Sequence, residues 1–285
     1  MANLLWNASL AYVERACAKP RALAQWYSRL LGDSVSPLSA GGFVVRGPGR
    51  LMLISPGAPK SAPSIGYAFP NSIQFNRFRK ALSRAGVVEV KNAPHVLEAT
   101  QRADIFSVLD PDGRTLTFFI GTQHAKAHAT EGALPARLQH FVCASTQSGA
   151  MLAFYRDTLH FAESDRVVDD SGDLSAAFVR SDFEHHSFAV FRAPQSGPDH
   201  HSYEVTDWNA IRDWADRCGA LTIPLWWGPG RHGVGNNLFF MIEDPEGYKV
   251  EFSAELEHMT ENQAYRTWPH GPRALNLWGN AWMRS

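Results

Sequence analysis

The chain has 285 residues, which at ~150 residues per domain corresponds to about two domains or one large one. With 45% hydrophobic and 19% charged residues it holds enough apolar material for a core, which excludes wholesale disorder. Lys plus Arg number 27 against 28 Asp plus Glu, a net charge of −1, so no global field of either sign would hold nucleic acid or an anionic membrane.

In chain order, the N-terminus has no basic region and no long apolar run, so no signal peptide is expected. No stretch reaches ~18 apolar residues, so no membrane span is expected either. Leu10-Ala11-Tyr12-Val13 predicts a strand, and a helix follows that ends in the pair Trp26-Tyr27. Several strands and a second helix over 71–85 lead to Asp110-Pro111-Asp112-Gly113, a turn sequence opening an alternating, strand-like run through Phe119. Residues 121–135 are rich in Ala, His, Gly and Thr and read as a linker, with His124 and His128 inside it.

The series then repeats. Leu138-Gln139-His140-Phe141 leads to Phe154-Tyr155, with the same 15-residue separation from His140 to Tyr155 as from Tyr12 to Tyr27. A helix over 209–218 puts Trp208, Ile211 and Trp214 on one face. Asp244-Pro245-Glu246-Gly247 opens a second alternating run, 134 residues after the first. Two matched landmarks in the same order favour duplication over chance recurrence of a common turn. The expected organisation is a first module over 1–122, a linker over 123–135, a second module over 136–257 and a tail over 258–285. Cys17, Cys143 and Cys218 are scattered and lack CxxC spacing. That excludes a disulfide framework and a zinc ribbon, and it favours free thiols in a cytoplasmic setting.

Twelve His are many beside three Cys, and His is the commonest metal ligand. The first half holds only His95 before the linker, and the second half holds most of the rest. His140, His200 and Glu251 are expected on separate strands of one curved sheet. Two neutral imidazoles and one carboxylate on one octahedral face leave three positions open and suit Fe(II). Taken singly, each His reads as an ordinary surface or core residue.

His140, Glu184-His185-His186-Ser187-Phe188-Ala189, His200-His201-Ser202-Tyr203-Glu204-Val205 and Gly230-Arg231-His232-Gly233-Val234-Gly235-Asn236-Asn237-Leu238-Phe239-Phe240 together resemble the type I extradiol dioxygenases. These are two-module, catechol-cleaving members of the vicinal oxygen chelate (glyoxalase/bleomycin resistance/dioxygenase) superfamily. Homoprotocatechuate 2,3-dioxygenases and 2,3-dihydroxybiphenyl 1,2-dioxygenases are the groups it most resembles. The likeness runs from about residue 138 into the tail, and the first half matches as a degenerate module. The fold implied is α+β: two tandem modules of paired βαβββ units, each a curved mixed sheet with flanking helices.

The resemblance also implies roles. His140, His200 and Glu251 take the metal-ligand positions, with His200 preferred to His201 because the family's ligand stands four residues before Glu204. His186 takes the acid/base position and His232 that of a second active-site His, while His185 is read as structural. The expected cofactor is Fe(II), with Mn(II) as the alternative ion and O2 as co-substrate. The expected reaction is ring opening of a catechol with both oxygen atoms retained. In the first half Tyr12 stands where His140 stands and Thr117 where Glu251 stands, so no metal is expected there.

The family's Tyr, nine residues beyond the His of Gly-Arg-His, is replaced here by Met241, which has no donor to offer. That leaves a lyase or isomerase on the same metal site, or a non-catalytic aromatic-binding relative, as alternatives. Met241, Phe178, Trp227, Val142 and Asn237 are the expected pocket residues. With Trp226 they suggest an uncharged or hydrophobic catechol, the other reading being core packing. Trp268, Trp278 and Trp282 read as packing or subunit contact, and the family is commonly homo-oligomeric.

Overall fold

A computed structural model describes residues 3–121 and 134–283. The expected linker, with His124 and His128, lies outside the described residues except for 134 and 135. The chain divides into two compact units. One comprises Met1–Asn7, Gln139–Glu243 and Lys249–Ser285, and the other Ala8–Leu138 and Asp244–Tyr248.

The unit built on the first half runs β1 (Ser9–Cys17), α1 (Pro20–Leu31), β2 (Ser34–Pro37), β3 (Phe43–Gly47), β4 (Arg50–Pro56), β5 (Ser64–Phe69), α2 (Ser72–Arg84), α3 (Pro94–Thr100), β6 (Ile105–Leu109) and β7 (Thr115–Ile120). Its seven strands form one sheet in the order β2-β3-β4-β1-β5-β7-β6. The sheet is mixed, since β1 runs parallel to β4 and antiparallel to β5. Pro20 presets the first turn of α1, and Gly32 in the left-handed region ends it. Asn71 caps α2 by accepting from the Gln74 amide. The second βαβββ unit of this half is incomplete. A single bridge, Val90 to Ser107, and the short helix α3 stand where its first strand after α2 would be.

The second half runs β8 (Arg137–Ser145), α4 (Ser148–Ala153), β9 (Ala162–Val168), β10 (Leu174–Arg180), β11 (Phe188–Arg192), β12 (Gly197–Glu204), α5 (Trp208–Ala220), β13 (Leu225–Arg231), β14 (Leu238–Glu243), β15 (Lys249–Ala254), β16 (Arg266–Pro269) and α6 (Pro272–Leu275). A π-turn, Phe154–Thr158, prolongs α4. Both βαβββ units are complete here. The nine strands form one mixed sheet in the order β13-β14-β15-β12-β8-β11-β10-β9-β16. The aromatic landmarks Tyr27 and Tyr155 are both fully buried.

The expected face of α5 shifts by one turn. Ile211, Trp214 and Cys218 are its buried residues, the 3–4 spacing of an amphipathic helix. Trp208 opens the helix beside its cap Asp207 and is exposed, its ring edge-on to Trp278. The two DPxG turns are built alike. Asp110 Oδ1 accepts from the amides of Asp112 and Arg114, and Asp244 Oδ1 accepts from those of Glu246 and Tyr248. Gly113 and Gly247 follow at φ 82° and 74°, which glycine adopts without steric cost.

Candidate metal centre

The centre of the nine-stranded sheet carries the site. β15, β12 and β8 are neighbours there, bearing Glu251, His200 and His140 respectively. Side chains alternate faces along a strand, so His200 and Ser202 share one face of β12 while His201 and Tyr203 share the other. His201 sets its ring edge-on to Tyr203, which packs on Phe252. His200 lines a cavity on the opposite face. Ser202 pairs with Glu251 in register and donates to Glu251 Oε1 at 3.3 Å.

His140 Nε2 lies 3.7 Å from Glu251 Oε1, and His200 Nε2 lies 3.5 Å from Glu251 Oε2. One ligand atom from each residue lies within 4.8 Å of the others. Asp199 Oδ1 engages His200 Nδ1, the carboxylate–imidazole arrangement that turns the other ring nitrogen toward a metal. Asn237 Nδ2 bonds Ser253 Oγ at 2.8 Å and reaches Glu251 Oε1 at 3.4 Å. Burial pushes His140 down to about 3, against the pull of Glu251, so its imidazole is neutral at neutral pH. Burial alone would raise the Glu251 carboxyl, but the proximity of His232, His140 and His200 outweighs it and holds Glu251 at about 2. Two buried imidazoles and an ionised carboxylate converging on one cavity form a donor set that fits a divalent metal with open positions.

Two further histidines line the same cavity, of about 380 Å³. The His186 ring lies 4.3 Å from that of His140, centroid to centroid. Its Nδ1 is 3.0 Å from His185 Nδ1, and His185 Nε2 is 3.0 Å from Asp165 Oδ2. Burial, then the neighbouring imidazoles, push His186 well below the ordinary histidine value. His232 presents Nε2 at 3.6 Å from Glu251 Oε2, while its Nδ1 engages the Leu275 carbonyl. Its ring stacks on Phe239 at 3.8 Å.

Of the expected pocket residues, Val142, Phe178, Asn237 and Met241 line the cavity. Trp227 is not on its wall. It lies behind His232, edge-on to that ring at 5.6 Å and to Phe239 at 4.5 Å, with its Nε1 donating to the Asn280 carbonyl. Phe191, Val234, Ala274 and Leu275 complete the wall. Phe191 lies two residues beyond Ala189, the register partner of Phe178 on β10, so alternation along β11 puts it on the Phe178 face. Val234 lies two residues beyond His232 inside the glycine-rich quoted motif. Ala274 and Leu275 arrive on α6; Ala274 carries no local signal, whereas Leu275 opens Leu275-Asn276-Leu277-Trp278-Gly279, a segment of the tail that shares the family resemblance. Among the described residues, those lining the cavity include no Lys or Arg. A second cavity of about 390 Å³ shares Phe191, Ala274 and Leu275 with the first.

The first unit shows what became of the corresponding positions. β1, β5 and β7 are neighbours there as β8, β12 and β15 are in the second. Gly66 pairs with Thr117 as Ser202 pairs with Glu251. Thr117 therefore matches Glu251, and Ser64, two residues before Gly66, matches His200. The Tyr12 hydroxyl lies 2.8 Å from Thr117 Oγ1 and 3.3 Å from Ser64 Oγ. A Cβ on Gly66 would fall 2.1 Å from the Tyr12 ring. Three hydroxyls, with that of Tyr12 bonded to the other two, hold the place of two imidazoles and a carboxylate.

Known proteins extend these observations. Residues 137–252 match the Glyoxalase/Bleomycin resistance protein/Dioxygenase superfamily. Metapyrocatechase 2 of Cupriavidus necator is 33% identical over 152 residues, 51% of this chain but only 45% of its own length. An iron-dependent extradiol dioxygenase of Rhodococcus jostii (strain RHA1) is 27% identical over 250 residues, 82% of each chain. The crystal structure of BphC, a halotolerant catechol dioxygenase, superposes with a TM-score of 0.81 at 20% identity, covering 98% of this chain and 96% of that one. That last likeness is one of fold. Over residues 137–252, where His140, His200, Glu251 and nearly all of the cavity strands lie, the chain is similar to the Glyoxalase/Bleomycin resistance protein/Dioxygenase superfamily.

Proposed function

We propose that the chain is an extradiol dioxygenase, opening the ring of a catechol with incorporation of both atoms of O2. The observation that carries this reading is the set His140, His200 and Glu251, with ligand atoms within 4.8 Å of one another on the wall of a cavity that His186 and His232 also line. A Lewis-acid site alone has no need of two further imidazoles. Their presence supports an oxygenase over a lyase or isomerase, despite Met241. The names of the relatives, one of them iron-dependent, point the same way. The cofactor in this reading is Fe(II), held by His140, His200 and Glu251. When bound, it would hold catecholate and O2 side by side and let electrons pass from one to the other.

The remaining work falls to the chain. Phe178, Phe191 and Val142 face the aromatic ring and keep water from it. Asn237 and Ser202 hold the Glu251 carboxylate in place. His186 sits on the cavity wall as the group that takes and returns a proton, a role worth about 10²- to 10⁴-fold in rate. Met241 gives the substrate oxygen no donor, which leaves His232 Nε2 as the polar contact on that side. Among the described residues the wall holds no Lys or Arg, which supports an uncharged or hydrophobic catechol.

The same reading places the metal-bearing module over 136–257 and a module without metal over 1–122, in a cytoplasmic homo-oligomer. Among the described residues no helix is long and apolar enough to cross a membrane, and the three cysteines are free. Light scattering checks the oligomer. Oxygen uptake by the Fe(II)-loaded protein with catechol, 3-methylcatechol and 2,3-dihydroxybiphenyl, with a yellow product, is the expected outcome. Metal binding without uptake across that panel would refute ring cleavage.

A further inference from the structure

His185 is more than a structural neighbour of His186. Asp165 on β9 is fully buried and collects four donors. Arg266 Nε reaches its Oδ1 at 2.8 Å, while Arg266 Nη2, Trp268 Nε1 and His185 Nε2 reach its Oδ2 at 3.1, 2.9 and 3.0 Å. A carboxylate among donors only accepts, so the hydrogen between Asp165 and His185 belongs to His185 Nε2. A neutral imidazole with its proton on Nε2 has a lone pair on Nδ1. His185 Nδ1 faces His186 Nδ1 at 3.0 Å, and two lone pairs cannot face each other at that distance. With His185 neutral, His186 Nδ1 carries the hydrogen and donates it, which leaves the lone pair of His186 on Nε2, toward the cavity.

The packing holds this chain of bonds rigid. His185 is fully buried, and Gly235 packs so closely that a Cβ there would come within 3.3 Å of His185 Nδ1. Glu257 grips the other side of the Arg266 guanidinium at 2.7 and 3.0 Å. The Arg266 fork is thus fixed on both edges.

We infer that Asp165 and His185 are positioning residues that fix His186 in the Nδ1–H tautomer, so that its Nε2 meets substrate as an acceptor. Neither touches the cavity, and both act through His186. This rests on the ring-cleavage reading only for what His186 then does, since the tautomer is a property of the protein itself.

Two measurements test it. In the full chain loaded with diamagnetic Zn(II), imidazole nitrogen NMR should show His186 protonated on Nδ1 and His185 on Nε2. A His186 protonated on Nε2, or a His185 carrying both protons, would overturn the inference. Asp165→Asn turns one acceptor into a donor with little change of shape, so it inverts or loosens the relay. In the Fe(II)-loaded variant kcat should fall on the order of 10²-fold while KM moves less than about threefold, with metal content unchanged. A folded, metal-replete Asp165→Asn protein with wild-type kcat would overturn it too. If the wild-type protein turns over no catechol, the ring-cleavage reading fails and the NMR result alone decides the tautomer.

Discussion

Removing a metal ligand and removing a neighbour of the ligands should have separable effects at this site. Nε2 of His140, His200 and His232 lies 3.7, 3.5 and 3.6 Å from a Glu251 oxygen, so proximity to the carboxylate does not tell them apart. Mutual geometry does. Among the described residues, the group with ligand atoms all within 4.8 Å is His140, His200 and Glu251, without His232. Four-ligand structural zinc sites bind with ~10–16 kcal/mol, or ~2.5–4 kcal/mol per ligand. Losing one ligand should thus weaken binding by about 10²- to 10³-fold. His200→Ala should reach that range in a chelator competition. His232→Ala keeps all three ligands and should weaken binding by less than about tenfold. Circular dichroism confirms that both variants fold, and metal per chain is counted directly. Equal losses in the two variants would refute the ligand assignment and make His232 a fourth ligand.

Three further outcomes are expected. His95 Nε2 lies 2.9 Å from Glu14 Oε1, and that hydrogen bond raises His95 while His95, Ser55 and Ser64 together keep Glu14 low despite its burial. The pair's stabilisation is then fully present below the unfolded histidine value of ~6.5 and above the unfolded glutamate value of ~4.3, and it fades as pH rises through the raised His95 value. The Tm difference between wild type and His95→Gln should shrink from pH 6 toward pH 9, on the order of these values; a difference independent of pH contradicts the linkage. Gly66→Ala pushes a Cβ to 2.1 Å from the Tyr12 ring and should destabilise by at least ~1–3 kcal/mol in urea unfolding; an unchanged midpoint would mean that the ring moves freely. Met241→Tyr offers the cavity a hydroxyl donor and should raise kcat/KM by about tenfold or more, the worth of one hydrogen bond to a charged group; no change in a folded variant would show that the donor is not limiting.

Legibility in the sequence followed the range of the signal. The DPxG turns could be read because Asp, Pro and Gly each satisfy a local backbone demand, and both turns formed as expected. His140, His200 and Glu251 could be singled out because the resemblance addresses single positions, and the structure brings their ligand atoms within 4.8 Å of one another. Trp227 was drawn toward the cavity by its distance from His232, yet a strand residue five positions away can stand behind its neighbour as easily as beside it. Asp165 and Ala274 carry no motif. They reach the site through β9 and the tail, and pairing across tens of residues leaves no periodic trace. The short α3, opened by Pro94, replaced a strand because proline lacks the amide a ladder needs.

The hydrogen-bonded hydroxyls of Tyr12, Ser64 and Thr117 in the first unit behave as an evolutionary ratchet. Rebuilding a metal site there would require exchanges at Tyr12, Ser64 and Thr117 together. Any single exchange removes a buried hydrogen bond, at a cost of ~1 kcal/mol or more, and gains only one ligand, too few to retain an ion. No single step is rewarded, so the path back is barred. What selection can still adjust in that half is shape and stability.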